Sequence, residues 1–324
     1  MEGGNMARIA ENKILHKAKK GKNDEFYTQR VDIDRELENY SPELFYNKVV
    51  YCNCDDPKTS NFVKYFIDNF ENLGLKKLIA SSYRTDVMPR GKFFTYSGAP
   101  EEIVKDSGDE FELLQGDGDF RGPECLELLN QADIVVTNPP FSLFRDFVSL
   151  MIEYDKKFLV IGNVNAITYK EIFPLIMDNK IWLGYGLGRA ISGFIVPEDY
   201  ELYGTEARID EAGNRIVSTN GCLWLTNLDI EKRHEDIPLV KKYYGNEVQY
   251  QKYDNLDGIN VNKTKDIPGD YDGCMGVPIT FLHKYNPEQF EIVRFRKGDD
   301  GKDLSIDGRC PYFRIVIKRR NGKS

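Results

Sequence analysis

The chain has 324 residues, 41% of them apolar and 30% charged, with a formal net charge of −8. That length builds two domains, or one large α/β domain with an appendage, and no stretch approaches the roughly eighteen apolar residues that a membrane-spanning helix needs. Six scattered cysteines without a Cys-x-x-Cys pair, and three histidines far apart in the chain, leave little material for a zinc site, a disulfide framework or a Ser-His-Asp relay. Met1–Asn5 lacks the basic and apolar regions of a secretory signal, so a cytoplasmic location is expected.

Residues 1–22 hold six Lys/Arg against two acids and are read as a basic arm. Phe26, Tyr27 and Thr28 follow in a short polar and aromatic segment. Lys48–Cys54 reads as a strand closed by Asp55-Asp56-Pro57, and Thr59 or Ser60 can cap a helix that carries Phe62, Phe66, Phe70 and Leu73 on one face. Lys77–Ser82 supplies a second strand. A loop-rich interval leads to a possible third strand at Phe111–Leu114 and then to Gly116-Asp117-Gly118-Asp119-Phe120. Pro123 opens a short helix, and Asp133–Thr137 is an apolar run of the kind found in buried parallel strands. A helix at Leu143–Tyr154, a strand at Lys157–Gly162 and a helix at Thr168–Asp178 continue the alternation, which predicts a doubly wound sheet. From about Ile181 strand-like runs take over, at Ile191–Val196, Arg215–Val217, Cys222–Thr226, Met275–Leu282 and Tyr312–Lys318. These predict a β-rich C-terminal extension. Residues 291–324 hold ten basic residues against five acids, so both ends of the chain are basic around an acidic middle.

The most informative motif is Asn138-Pro139-Pro140-Phe141, at the end of the predicted strand Asp133–Thr137. Two prolines fix φ and remove two N–H donors, which leaves carbonyls without ladder partners beside the Asn amide. The Asn138 side-chain carbonyl and the Pro139 backbone carbonyl can each accept a hydrogen bond from a planar amine, while Phe141 offers a flat face to the ring that carries it. A plain turn opening a helix, with Phe141 as a hydrophobic staple, is the competing reading of these four residues. The turns at Asp55-Asp56, Gly116–Phe120 and Asn138–Phe141 all lie at predicted strand ends, where ligands gather in open α/β sheets.

The chain resembles the EcoRI-type adenine-N6 DNA methyltransferases, with gamma-like motif order. The resemblance runs through HKAKK (16–20), DEFYTQ (24–29), VVYCNCDDP (49–57), GDGDFR (116–121), DIVVTNPPFSLF (133–144), SGFIVPE (192–198), CLWLTNLD (222–229), INVNKTKDIP (259–268) and MGVPITFLHK (275–284). It implies a Rossmann-like methyltransferase sheet with helices on both faces and a β-rich target-recognition extension. The domains implied are a basic arm at 1–22, an S-adenosylmethionine-binding catalytic domain at 23–185, and a DNA-binding region at 186–324. It further implies that Asn138, Pro139, Pro140 and Phe141 grip a flipped adenine. Phe26, Tyr27, Thr28, Asp55, Asp56, Pro57, Asp119 and Phe120 are the implied contacts to S-adenosylmethionine. The first-strand turn lacks the glycines usual in the class, and the second strand ends Ser81-Ser82-Tyr83 where a ribose-binding acid is common. Asp86 is the alternative acid.

The resemblance also implies double-stranded DNA as partner, with GAATTC as the site, its inner adenine as the target and a monomer acting on each strand. Neither a metal nor a membrane is expected. Candidate DNA contacts are Lys13, Lys17, Lys19, Lys20, Arg189, Arg208, Lys263 and Lys265, with Arg215 and Asn260 as further polar candidates and Lys318–Arg320 as a basic cluster. RNA adenine and protein glutamine methyltransferases can use the same loop, and a catalytically silent nucleic-acid-binding scaffold is the rival from another class.

Overall fold

The computed structural model describes residues 27–85, 88–99, 111–186, 191–196, 207–211, 213–218, 221–296, 304–310 and 313–320. The chain forms two compact units, one built from residues 1–167 with 186–228 and the other from 168–185 with 229–324. In chain order the first stretch contains β1 (Tyr27–Thr28), α1 (Arg30–Leu37), β2 (Val49–Cys52), α2 (Asn61–Asp68), β3 (Lys77–Ser82), β4 (Lys92–Tyr96) and β5 (Glu112–Leu113). Next come α3 (Pro123–Gln131), β6 (Ile134–Thr137), α4 (Phe144–Glu153) and β7 (Lys157–Asn163). Then follow α5 (Phe173–Met177), β8 (Trp182–Leu183), β9 (Phe194–Val196), β10 (Ala207–Ile209), β11 (Arg215–Val217) and β12 (Cys222–Thr226). The last strands are β13 (Gly258–Asn260), β14 (Cys274–Pro278), β15 (Phe290–Arg296) and β16 (Arg314–Arg319).

The first unit is organised by one large mixed sheet, whose strands run β5-β4-β3-β2-β6-β7-β12. Four strands, β3, β2, β6 and β7, are mutually parallel. All residues of β2 and β6 are buried, as their unbroken apolar runs require of strands covered on both faces. The chain leaves β2 outward to β3, then returns to lay β6 on the other side of β2 and proceeds to β7. The strand order therefore reverses between β2 and β6. At such a switch point the carboxyl-end loops diverge and leave a crevice.

Helix α2 shows how the sequence sets the approach to that crevice. Ser60 Oγ accepts from Phe62 N at 3.1 Å and Val63 N at 3.4 Å, closing the helix N-terminus, while Phe62, Val63 and Phe66 are buried along one face. Phe62 meets Trp224 of β12 edge-on, with ring centroids 6.0 Å apart.

Several predicted elements change. The interval read as loop contains β4, antiparallel to β3, and the third strand shrinks to the two exposed residues of β5. The helix expected over 168–178 is only α5, preceded by a 3-10 turn at Val164–Thr168. Cys222–Thr226, expected in the C-terminal extension, instead joins the main sheet antiparallel to β7. Its five residues are all buried, so it belongs to the core of the first unit.

A small antiparallel sheet, β1-β9-β11-β10, completes the first unit. The second unit centres on the sheet β13-β14-β16-β15. In that sheet Tyr253 OH donates to Asn260 Oδ1 at 2.8 Å, and Arg314 donates from Nε to Asn260 Oδ1 and from Nη2 to Asn262 Oδ1, each at 3.0 Å. Asn260, a candidate base-reading residue in the sequence, is thus a buried member of a polar network.

Candidate active site

The two loops that flank the switch point are residues 53–57 after β2 and 138–141 after β6. They are joined by a buried carboxylate. Asp55, only 8% exposed, accepts from Ser60 Oγ at 2.7 Å and from Thr137 Oγ1 at 2.5 Å, and its backbone N–H donates to Ser81 O at 2.9 Å. Burial raises the Asp55 carboxyl to about 6, a shift that the Ser60 and Thr137 hydrogen bonds oppose and neighbouring Asp56 reinforces. Asp56 closes the turn differently. Its Oδ1 accepts from Lys58 N and Thr59 N, and its Oδ2 pairs with Lys92 Nζ at 2.7 Å. Pro57 is buried beside them.

On the other side of the crevice Asn138 is half-buried, its Oδ1 fully so; Pro139 is buried, and Pro140 and Phe141 are half-buried. Leu143 N donates to Pro140 O at 3.0 Å, so the double proline feeds a 3-10 turn at Phe141–Leu143 that becomes α4. The Phe141 ring meets Phe194 edge-on at 6.1 Å. Phe194 pairs in register with Thr28, which brings β1 to the same place. Gln29 Nε2 donates to Gly193 O at 2.7 Å, and buried Asp32 accepts from Ser192 N and Oγ, each at 2.9 Å. Asn61 Nδ2 donates to Thr28 O at 2.8 Å, tying β1 to the start of α2. Sequence reasoning did not single out Phe194, which lies in a three-residue strand inside the stretch SGFIVPE.

The third predicted turn sits against the end of β3. Gly118 adopts φ +80°, and a Cβ there would lie 2.2 Å from Ser82 O, so only glycine permits this approach. Asp119 is held by Arg121, which donates from Nε at 3.0 Å and from Nη2 at 2.7 Å, and this pairing lowers its carboxyl below the ordinary range. Phe120 is buried against Phe147, with centroids 5.2 Å apart.

Three buried polar groups mark the crevice as built for a ligand. Among the described residues neither amide atom of Asn53, 1% exposed, finds a hydrogen-bond partner, and nor do the buried hydroxyls of Ser82 and Thr28. Each such group costs on the order of 1–3 kcal/mol unless something satisfies it. All three stand at strand ends on this side of the sheet or on β1, so the residues present fit a polar small molecule lying across the ends of β2 and β3. Asn53 was not singled out in the sequence, although it sits inside the stretch VVYCNCDDP. Burial pushes the Cys52 and Cys54 thiols well up, with Asp55 adding to the shift, so neither is a ready nucleophile.

Among the predicted contacts, Phe26, Lys13, Lys17, Lys19, Lys20 and Arg189 lie outside the described residues. Arg208 is exposed on β10 in the first unit; Lys263 and Lys265 are exposed around a 3-10 turn in the second. Among the described residues no group of three His, Cys, Asp or Glu could hold a metal ion, and no helix is long and apolar enough to cross a membrane.

The family model described as "Adenine-specific methyltransferase EcoRI" matches residues 14–320. The chain belongs to this family. It is 63% identical to the Type II methyltransferase M.EcoRI of Escherichia coli, over 97% of this chain and 99% of that one. It is also 39% identical to the Type II methyltransferase M.MgeORF184P of Mycoplasma genitalium and 38% identical to M.MpnI of Mycoplasma pneumoniae, in each case over 94% of this chain and 98% of the relative. No solved structure matches the chain. As a member of an adenine-specific methyltransferase family the protein requires a methyl donor of the S-adenosylmethionine type.

Proposed function

We propose that the protein transfers a methyl group from S-adenosylmethionine to N6 of an adenine flipped out of duplex DNA, as the modification enzyme of a type II restriction–modification system. The observation that carries this reading is the Asn-Pro-Pro-Phe loop at the switch point, hydrogen-bonded through Thr137 and Asp55 to the turn after β2. Asn138 and Pro139 supply two acceptors for the adenine amine, and Phe141 supplies a face for the extruded ring. The amine lone pair is delocalised into the ring. Two acceptors pulling on its hydrogens favour a tetrahedral nitrogen with the lone pair directed out of the ring plane.

S-Adenosylmethionine, when bound, supplies an electrophilic sulfonium methyl. Tyr27, Thr28, Asn53, the 55–57 turn and Ser82 are the groups we assign to hold it, with Asp119 and Phe120 bordering the adenosyl end and Phe26 continuing the N-terminal segment. The Asp119 carboxylate must share its Arg121 partner to take part. Target recognition is assigned to residues in 186–324 and to the basic arm, with Arg189, Arg208, Lys263 and Lys265 as the proposed phosphate contacts. The recognition sequence proposed is GAATTC with its inner adenine as target, and a monomer acting on each strand in the cytoplasm.

Incubation with labelled S-adenosylmethionine and separate duplex DNA, RNA and protein acceptors tests this reading. Label is expected in duplex DNA alone, recovered as N6-methyl-2′-deoxyadenosine. Label in RNA or protein but not in DNA would overturn it.

A further inference from the structure

Asp55 is a candidate cofactor contact, yet its carboxylate is occupied. Oδ1 accepts the Ser60 hydroxyl and Oδ2 the Thr137 hydroxyl, while the residue is 8% exposed. Ser60 simultaneously accepts from the first N–H groups of α2. Thr137 is fully buried and is the last residue of β6, one residue before Asn138. One carboxylate therefore ties together the turn after β2, the start of α2 and the root of the catalytic loop. Asn53, two residues earlier, has a buried amide with no hydrogen-bond partner among the described residues.

We propose that Asp55 is a positioning residue: through the Thr137 hydroxyl it sets where Asn138 stands relative to the cofactor turn, and the cofactor-facing polar group of that turn is Asn53. This rests on the reading of Asn138–Phe141 as the amine grip. The chemistry supports a bracket. Hydrogen bonds from hydroxyls to a carboxylate are short and strong, and within a low-dielectric site they resist slippage. The parallel ladder pairs Val50 with Ile134 and Tyr51 with Val135, so the Asp55–Thr137 bond lies beyond the last ladder pair. It links the two loops directly where the ladder has ended. Displacement of a reacting group by about an ångström costs on the order of a hundredfold in rate.

The test compares Thr137→Val, which keeps the shape and removes the hydroxyl, with Thr137→Ser, which keeps the hydroxyl, and with Asn53→Ala. Single-turnover methyl transfer into duplex DNA is measured at saturating S-adenosylmethionine, and cofactor Kd is measured by calorimetry on each folded variant. Thr137→Val is expected to slow transfer roughly 10- to 100-fold with cofactor Kd changed less than about threefold, and Thr137→Ser to recover most of the rate. Asn53→Ala is expected to weaken cofactor binding by roughly tenfold, the loss usual for a buried hydrogen-bonding group. Wild-type transfer by Thr137→Val would overturn the bracket, as would a Thr137→Val defect confined to cofactor Kd. Unchanged cofactor binding by Asn53→Ala would overturn the second half. If Thr137→Val does not fold, the Thr137→Ser rate decides: a loss as large as that of Asn138→Ala contradicts the proposal, because the hydroxyl is still present. Asn138→Ala separates the two readings, since full activity in that variant removes the amine grip itself, whereas an inactive Asn138→Ala beside a fast Thr137→Val removes only the bracket.

Discussion

The two loops at the switch point are built on opposite principles. The turn after β2 is acidic and internally bonded: Asp55 spans two hydroxyls, Asp56 caps its own turn and pairs with Lys92, and Pro57 is buried. The loop after β6 is neutral and donor-poor, because its two prolines have no N–H to offer. The carboxylates of the first loop hold it and its neighbour in place. On the reading proposed above, the second presents acceptors to the substrate amine. A site for direct transfer needs both kinds, since the reaction depends on alignment more than on proton transfer.

Breaking the neutral loop has the largest expected effect. Asn138→Ala removes one of two acceptors for the amine and is expected to slow transfer by about a hundredfold to a thousandfold, measured in single turnovers, with cofactor affinity retained. Phe141→Ala removes the stacking face and is expected to lose about 1–3 kcal/mol, which a DNA-concentration series on the transfer rate resolves. The ring's edge contact with Phe194 predicts that Phe141→Trp retains more activity than Phe141→Ala.

Altering the acidic turn is expected to appear in stability. Asp55 titrates at about 6 in the folded protein against 3.8 for the ordinary carboxyl, because burial disfavours its charge. The folded state therefore holds this proton more tightly than the unfolded chain. The contribution to stability is complete below about pH 4 and is lost as pH rises through about 6, by up to about 3 kcal/mol. Denaturant unfolding of wild type and Asp55→Asn across pH 4–7 reads the difference: the wild type should lose stability relative to the variant as pH rises. A parallel pair of curves would count against this environment for Asp55.

The smallest effect is expected in the second unit. Replacing exposed Lys263 and Lys265 by alanine is expected to reduce the log–log salt slope of DNA binding by about one for each lost phosphate contact, without altering single-turnover transfer at saturating DNA. An unchanged slope would remove them from the interface.

Much of this was legible in the residues. The apolar runs of β2, β3, β6 and β7 are short and β-branched-rich enough to read as buried strands, and Ser60 followed by Phe62 and Phe66 announces a capped amphipathic helix. The strands missed were those whose residues carry mixed signals. Lys92–Tyr96 lies antiparallel at the edge side of β3 with only alternate burial, and Phe290–Arg296 has a register irregularity between Ile292 and Arg294. Pro174 and the preceding 3-10 turn explain why one predicted helix shrinks to Phe173–Met177. The placement of Cys222–Thr226 could not be read locally, because pairing with β7 joins residues more than fifty positions apart. In the candidate site the motif residues stood out by their chemistry. Asn53, Thr137 and Phe194 did not, because their roles arise from what the fold places beside them: a neighbouring strand end, a buried carboxylate and an aromatic ring.

Protection of a plasmid bearing GAATTC sites, prepared from cells that express the protein, tests the central claim most directly. Wild type is expected to leave the plasmid resistant to EcoRI cleavage, and Asn138→Ala, expressed at the same level and still binding S-adenosylmethionine, is expected to leave it fully cleaved. A plasmid protected equally by both proteins would contradict the assignment of the Asn138–Phe141 loop, and one cleaved despite demonstrated adenine methylation by the wild type would contradict the recognition sequence.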